Sequence, residues 1–512
     1  MTTTQQQLPT APGEDAAVEG PGSGAGAPRG LGVFPLPQGL LLLGDDAESL
    51  AVRANLAAGR VPPVWPSGLA PVAAAHAGDL AGALAAWAPR AGDPLVAFNR
   101  WLLDPATAEP NAVRAGLPED LRPLVDVVAW TIGVPGAEVP AEPTPEQVRS
   151  EPEVGALVLA TRASAALEQR SPDVACALLG YAAQAADARG PALAAMLRGN
   201  TASLLREAGA PAEQVGTLLR RSTDALEGSD LPEVRAELLH ELGLCVHERA
   251  AEEPRDVERA ALMREAMGHY YDALGLVSET SAPELWASVQ LDLAAAHLAV
   301  PMTQASDQLR LGVAAQSLRA CRRVFTPETH PGPWSTATVN LANALVYTPS
   351  QHRSENLVEA IGLYQEVVDS GTRDDDAVGR ARLLMNLGNA LAHAGALDEA
   401  RAALAEARYL FETELDHEGA LTVRGLQDEI ARVGVTDPDT DLDDLARQVE
   451  AMSRMDAPTS FTSGMGVSID AGSINLPAGD SVPPPRRVTR VDPSQRPTGR
   501  PDAGNGAGTD AR

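Results

Sequence analysis

From residue 151 to about 433 apolar residues recur at i, i+3, i+4 and i+7, segment after segment, and short turns of Gly, Pro and Asp separate the segments. That period belongs to amphipathic helices rather than to strands. An array of helices this long does not close around a single core, so each helix must bury its apolar stripe on its neighbours along the chain. Helices stacked in a row do this. Composition agrees. Aromatic residues make up only 3% of the 512, and alanine and leucine, which favour helix over sheet, supply most of the apolar side chains. The expected fold class is all-α.

Composition also divides the chain. Residues 1–30, which include GPGSGAGAPRG, read as a disordered N-terminal tail. Residues 31–132 read as a small helical module holding four of the six tryptophans, Trp65, Trp87, Trp101 and Trp130. A Pro-rich linker is expected over 133–150 and a helical solenoid over 151–434. An acidic linker with one short helix, DLDDLARQVEAMSRM, is expected over 435–460, and a disordered Pro/Gly/Arg tail over 461–512. The opening MTTTQQQLPT has neither the charged nor the apolar part of a signal peptide. No apolar run approaches the ~18 residues that cross a bilayer. A cytoplasmic protein with no membrane partner is expected. Cys176, Cys245 and Cys321 form no CxxC and are odd in number, which fits small buried side chains rather than a disulfide framework.

Within the array a repeat emerges. In LLMNLGNALAHAGALDEARAALAEA, residues 383–407, Leu384, Leu387, Gly388 and Leu391 share one face of a first helix, and Ala400, Leu404 and Ala407 share one face of a second. Residues 336–370 give Leu341, Ala342 and Leu345, then Ala360, Tyr364 and Val367. Residues 236–274 give Leu242, Gly243 and Val246, then Ala266, Tyr270 and Ala273. Residues 286–321 give Leu293 and Ala294, then Ala314, Leu318 and Cys321. The small residues Gly243, Ala294, Ala342 and Gly388 let the two helices of a pair approach closely, as do Ala266, Ala360 and Ala400 from the other side. This pattern resembles the tetratricopeptide repeat (TPR). The small residues recur 51, 48 and 46 residues apart, against about 34 in that family, so longer turns are expected. Residues 419–434 read as a capping helix.

The resemblance gives meaning to an odd feature. MNLGNALAH, 385–393, echoes VNLANALVY, 339–347, and each carries two asparagines three apart, although asparagine is a poor helix former. Asn340 and Asn343 are expected to form one amide patch, and Asn386 and Asn389 another, beside the buried face rather than on it. The first helix of a tetratricopeptide repeat lines the concave side, and the resemblance implies that such amides read the backbone of a bound peptide. Arg382, His393 and Tyr347 flank the amides, and His240, Glu241 and Asp292 occupy the groove's earlier part. The groove is thus expected to be acidic at one end and amide-rich at the other. A chaperone-tail clamp is not expected: Asn343 and Asn386 match two of its asparagines, but Val339 occupies a basic position and the chain has no lysine.

The net charge of −29, carried by 69 acidic and 40 basic residues, repels phosphate backbones, and nucleic acid is not expected as a partner. The absence of lysine removes Walker, Schiff-base and kinase chemistries that depend on it. In HELGLCVHE, 240–248, His240 and His247 are two turns apart, unlike the one-turn pair of a zinc helix. DPDTDLDDLARQVE, 437–450, has Leu442 where a calcium loop turns on glycine. No metal, no cofactor and no enzymatic activity are expected. The expected function is a protein-interaction scaffold that holds an extended peptide or helix in its groove. An accessory factor for a multisubunit enzyme, and a regulatory protein whose basic tail folds back on the acidic groove, are the alternatives. Oligomeric state is not legible.

Overall fold

The computed structural model describes residues 34, 37–300, 308–348 and 352–433. The expected tails at 1–30 and 461–512 and the acidic linker at 435–460 lie outside the described residues. The described chain is all helical and forms two compact units. Among the described residues, the first holds 34–162 and 181–193, and the second holds 163–180 and 194–433.

In the first unit α1 (Ala47–Ala57), α2 (Ala70–His76), α3 (Leu80–Trp87), α4 (Pro94–Leu103), α5 (Pro110–Gly116), α6 (Pro123–Thr131) and α7 (Pro145–Ser150) are joined by short turns. The helix α7 falls inside the stretch expected as linker. It starts with a complete capping box, in which Thr144 and Gln147 satisfy each other's backbone N–H groups. The tryptophans serve the core: Trp101 is fully buried against Phe98, and Trp87 and Trp130 are buried with it. Trp65 is half-buried. Asn99 pins the Leu41–Leu43 segment at Leu42, accepting from the Leu42 N–H at 2.7 Å and donating to its carbonyl at 2.8 Å. The buried Arg53 donates to the Leu43 carbonyl.

Three helices, α8 (Pro152–Glu168), α9 (Pro172–Ala186) and α10 (Pro191–Glu207), are shared out between the units. The second unit continues with α11 (Ala212–Ala225), α12 (Pro232–Glu252), α13 (Asp256–Leu274), α14 (Pro283–Ala299), α15 (Gln308–Val324), α16 (Pro331–Tyr347), α17 (Arg353–Ser370), α18 (Ala377–His393), α19 (Leu397–Thr413) and α20 (His417–Val433). The unit is a helical-repeat solenoid. Four antiparallel pairs, α12/α13, α14/α15, α16/α17 and α18/α19, pack consecutively, and α20 follows on α19. The first helices also touch one another, α12 with α14, α14 with α16, α16 with α18 and α18 with α20, and so make an inner row.

The sequence explains this division. From Leu291 to Leu298 every residue of α14 is buried, because small and apolar residues surround it, as a helix with neighbours on all sides requires. The second helices keep one polar face. The inner helices α12, α14 and α16 begin with Pro232, Pro283 and Pro331, where the missing N–H costs nothing. In α18 the Asp376 carboxylate caps instead, accepting from the Gly379 N–H at 2.8 Å.

The small residues do pack helix against helix. Ala266, Ala294, Ala342, Ala360 and Ala400 are each 0% exposed. A Cβ on Gly243 would collide with the Tyr270 ring, and one on Gly388 would lie 2.7 Å from Leu404 Cγ and 3.3 Å from the Ala400 carbonyl oxygen. Both positions therefore require glycine.

Candidate functional site

The polar residues singled out in the sequence lie along the inner row. Glu241, Asp292, Asn340 and Asn386 each stand two residues before the small residue of their helix, Gly243, Ala294, Ala342 or Gly388. Four different side chains thus occupy one repeat position, and each meets a different environment.

On α12 and α14 the row is charged. Arg206, near the end of α10, donates from Nε to Glu241 at 3.1 Å and from Nη1 to Glu248 at 2.8 Å. Burial opposes the charge on Arg206, but Glu241 and Glu248 outweigh it and hold the guanidinium pKa above its ordinary value. His240 Nε2 lies 2.6 Å from Asp292 Oδ2, with both side chains buried. The fully buried Tyr270 stacks near His240, ring centres 5.9 Å apart, and its hydroxyl lies 3.4 Å from His247 Nδ1. Burial pushes the His247 pKa down, against the pull of Asp292. At the end of α14, His297 Nε2 meets the Tyr271 hydroxyl at 3.0 Å. Burial, helped by Arg310, pushes the His297 pKa down to about 4.

On α16 and α18 the row is built on amides. Asn343 Oδ1 accepts two hydrogen bonds, from the Tyr364 hydroxyl at 2.5 Å and from Asn386 Nδ2 at 3.2 Å. Asn389 Nδ2 points to the Tyr347 hydroxyl at 3.5 Å, and burial pushes the Tyr347 pKa up to about 12. Arg382 and His393 are half-buried on the same helix as Asn386 and Asn389. Burial, with Arg353 beside it, lowers the His393 pKa.

Two expectations are corrected by this geometry. The asparagines do not form separate patches beside the buried face: Asn340 is 4% exposed, and Asn343 and Asn386 bond to each other across two helices. Asn343 and Asn386 satisfy polar groups within the row as well as facing outward. Nor is the early part of the row openly acidic, since Glu241 is matched by Arg206 and Asp292 by His240. Sequence reasoning missed Arg206, because its partners are 35 and 42 residues away and no local spacing points to them. It read Tyr364 as a packing residue only, although the hydroxyl of a buried tyrosine needs a partner and so signals one. Among the described residues no group of three His, Cys, Asp or Glu side chains is placed to hold a metal ion, and no helix is long and apolar enough to cross a membrane.

No family model matches the chain, and no curated protein does. Among solved structures it is similar to a human IFIT1 dimer with PPP-AAAA, at 13% identity and a TM-score of 0.34, over 71% of this chain and 81% of that one. The expectation that nucleic acid is not a partner is withdrawn, because the potential at a site, rather than the charge summed over a chain, decides what binds there. The total of −29 is no ground for excluding nucleic acid.

Proposed function

We propose that the second unit is a non-catalytic interaction scaffold of tetratricopeptide type, and that its inner row holds an extended peptide or helix of a partner protein. The observation that carries this reading is the half-exposed polar edge of α18, where Asn389 and His393, one turn apart, and Arg382 stand beside the amide pair. Gly388 packed on Leu404 and Gly243 packed on Tyr270 support the tetratricopeptide assignment. A rigid row of first helices that presents donors and acceptors at regular intervals suits an extended segment better than a compact ligand.

The test is capture of partners from the native host by the intact protein and by Asn389→Ala/His393→Ala. These positions are preferable to Asn343, whose loss would strand the buried Tyr364 hydroxyl bonded at 2.5 Å, because Asn389 makes only a 3.5 Å contact with Tyr347. A protein partner lost by more than tenfold in the variant, with helicity and melting temperature unchanged, is the expected outcome. A partner retained at full strength by the variant would remove α18 from the site. A nuclease-sensitive partner would replace the peptide reading with a nucleic-acid one.

A further inference from the structure

The joints between successive pairs of the second unit are not alike. On the inner row Arg206 joins α10 to α12 through Glu241, His240 joins α12 to α14 through Asp292, and Asn343 joins α16 to α18 through Asn386. Between α14 and α16 no side-chain hydrogen bond is made among the described residues. Their polar contact is partly exposed and lies at the start of both helices, His330 Nε2 to Glu284 Oε1 at 3.6 Å. The buried donor that would make the missing link is present: Asn340 Nδ2 is buried without a hydrogen-bond partner. Repeat geometry shows why. Asn386 finds Asn343, which stands one residue after the small Ala342. The equivalent residue on α14, one after Ala294, is Ala295, which is 2% exposed and has nothing to offer.

The outer side of the same joint is tied instead. On the second helices α15 and α17, Arg319 Nη2 lies 2.9 Å from Glu359, and Arg322 Nη2 lies 2.7 Å from Glu366. The joint carries two ion pairs outside and, inside, apolar packing with no side-chain hydrogen bond, where an unpaired buried amide makes the closed contact less favourable. Rotation of packed helices about a persistent contact is one of the motions open to such an interface.

We infer that the α14–α16 joint is a hinge, with its axis along the Arg319–Glu359 and Arg322–Glu366 bridges, that opens the inner row between Asp292 and Asn340. The inference holds whatever the inner row binds. Opening would let Asn340 reach water and would separate the charged part of the row from the amide part by a variable gap.

Native-state thiol labelling of the full chain, read peptide by peptide in a mass spectrometer, tests it. Ala295→Cys places a probe at the joint, and Ala390→Cys, at a 0% exposed site on α18, is the control. Ala295→Cys is expected to label at least tenfold faster than Ala390→Cys when the two variants melt at the same temperature. Equal rates would overturn the hinge. Ala295→Ser is the second variant, since its hydroxyl gives Asn340 a partner. It is expected to raise the melting temperature by about 1–3 °C, the worth of one buried hydrogen bond in a unit of this size. A fall would show that residue 295 does not face Asn340, and the assignment would fail with it.

Discussion

Glu241 and Asp292 occupy on α12 and α14 the position that Asn340 and Asn386 occupy on α16 and α18, yet the two halves of the row meet the cost of burial in different ways. The first half buries carboxylates and gives each a partner, Arg206 for Glu241 and the His240 imidazole for Asp292. The second buries dipoles and closes them on one another through Asn343, Tyr364 and Tyr347. A desolvated charge that loses its partner is far more costly than an amide that loses one hydrogen bond. The charged half should therefore be brittle and sensitive to pH, and the amide half tolerant.

The sharpest way to break this contrast is His240→Leu. It leaves the Asp292 carboxylate buried without its imidazole, 2.6 Å from the replaced ring, and about 3–5 kcal/mol of stability should go, measured by urea unfolding. The double variant His240→Leu/Asp292→Leu should regain most of that, because a buried pair replaced by apolar side chains is close to neutral. If the single variant costs under about 1 kcal/mol, the pair is not the buried charge argued for.

A smaller effect is expected with pH. His297 has its pKa lowered to about 4 by burial and Arg310, while the unfolded chain titrates near 6.5. Between those values the unfolded state binds the proton and the folded state does not. His297 therefore contributes stability that is fully present above pH 6.5 and is lost as the pH falls toward 4. Urea midpoints at pH 7 and pH 5 should differ less in His297→Gln than in the parent. An unchanged difference would mean that His297 does not set the acid limb.

The helices and their pairing were legible because both rest on local information: the apolar period, Pro at the starts of α12, α14 and α16, and small residues such as Gly388. The line of the row was legible too, since Asn340, Asn386 and Asp292 were singled out by type and repeat position. Their bonding was not. Whether an asparagine lies open or is locked depends on what stands across the joint, and the residue that locks Asn386 is Asn343, 43 positions away in the sequence. Arg206 was invisible for the same reason. Length of turn is a third case: the spacings between repeats forecast longer turns, while residues 301–307 and 349–351, which belong to two of them, lie outside the described residues.

The smallest effect is the one that probes the amide half directly. Tyr364→Phe removes the hydroxyl that donates to Asn343 Oδ1 at 2.5 Å but leaves the ring in the core. Asn343 keeps Asn386 as its donor, so no buried acceptor is stranded. The expected loss is about 1 kcal/mol or less, far below that of His240→Leu although both side chains are buried. Tyr364→Phe/Asn386→Ala then separates two possibilities. If the double loss equals the sum of the singles, the two donors act independently on Asn343. If it exceeds the sum, each compensates for the other, and the amide half is tolerant because its acceptor is shared.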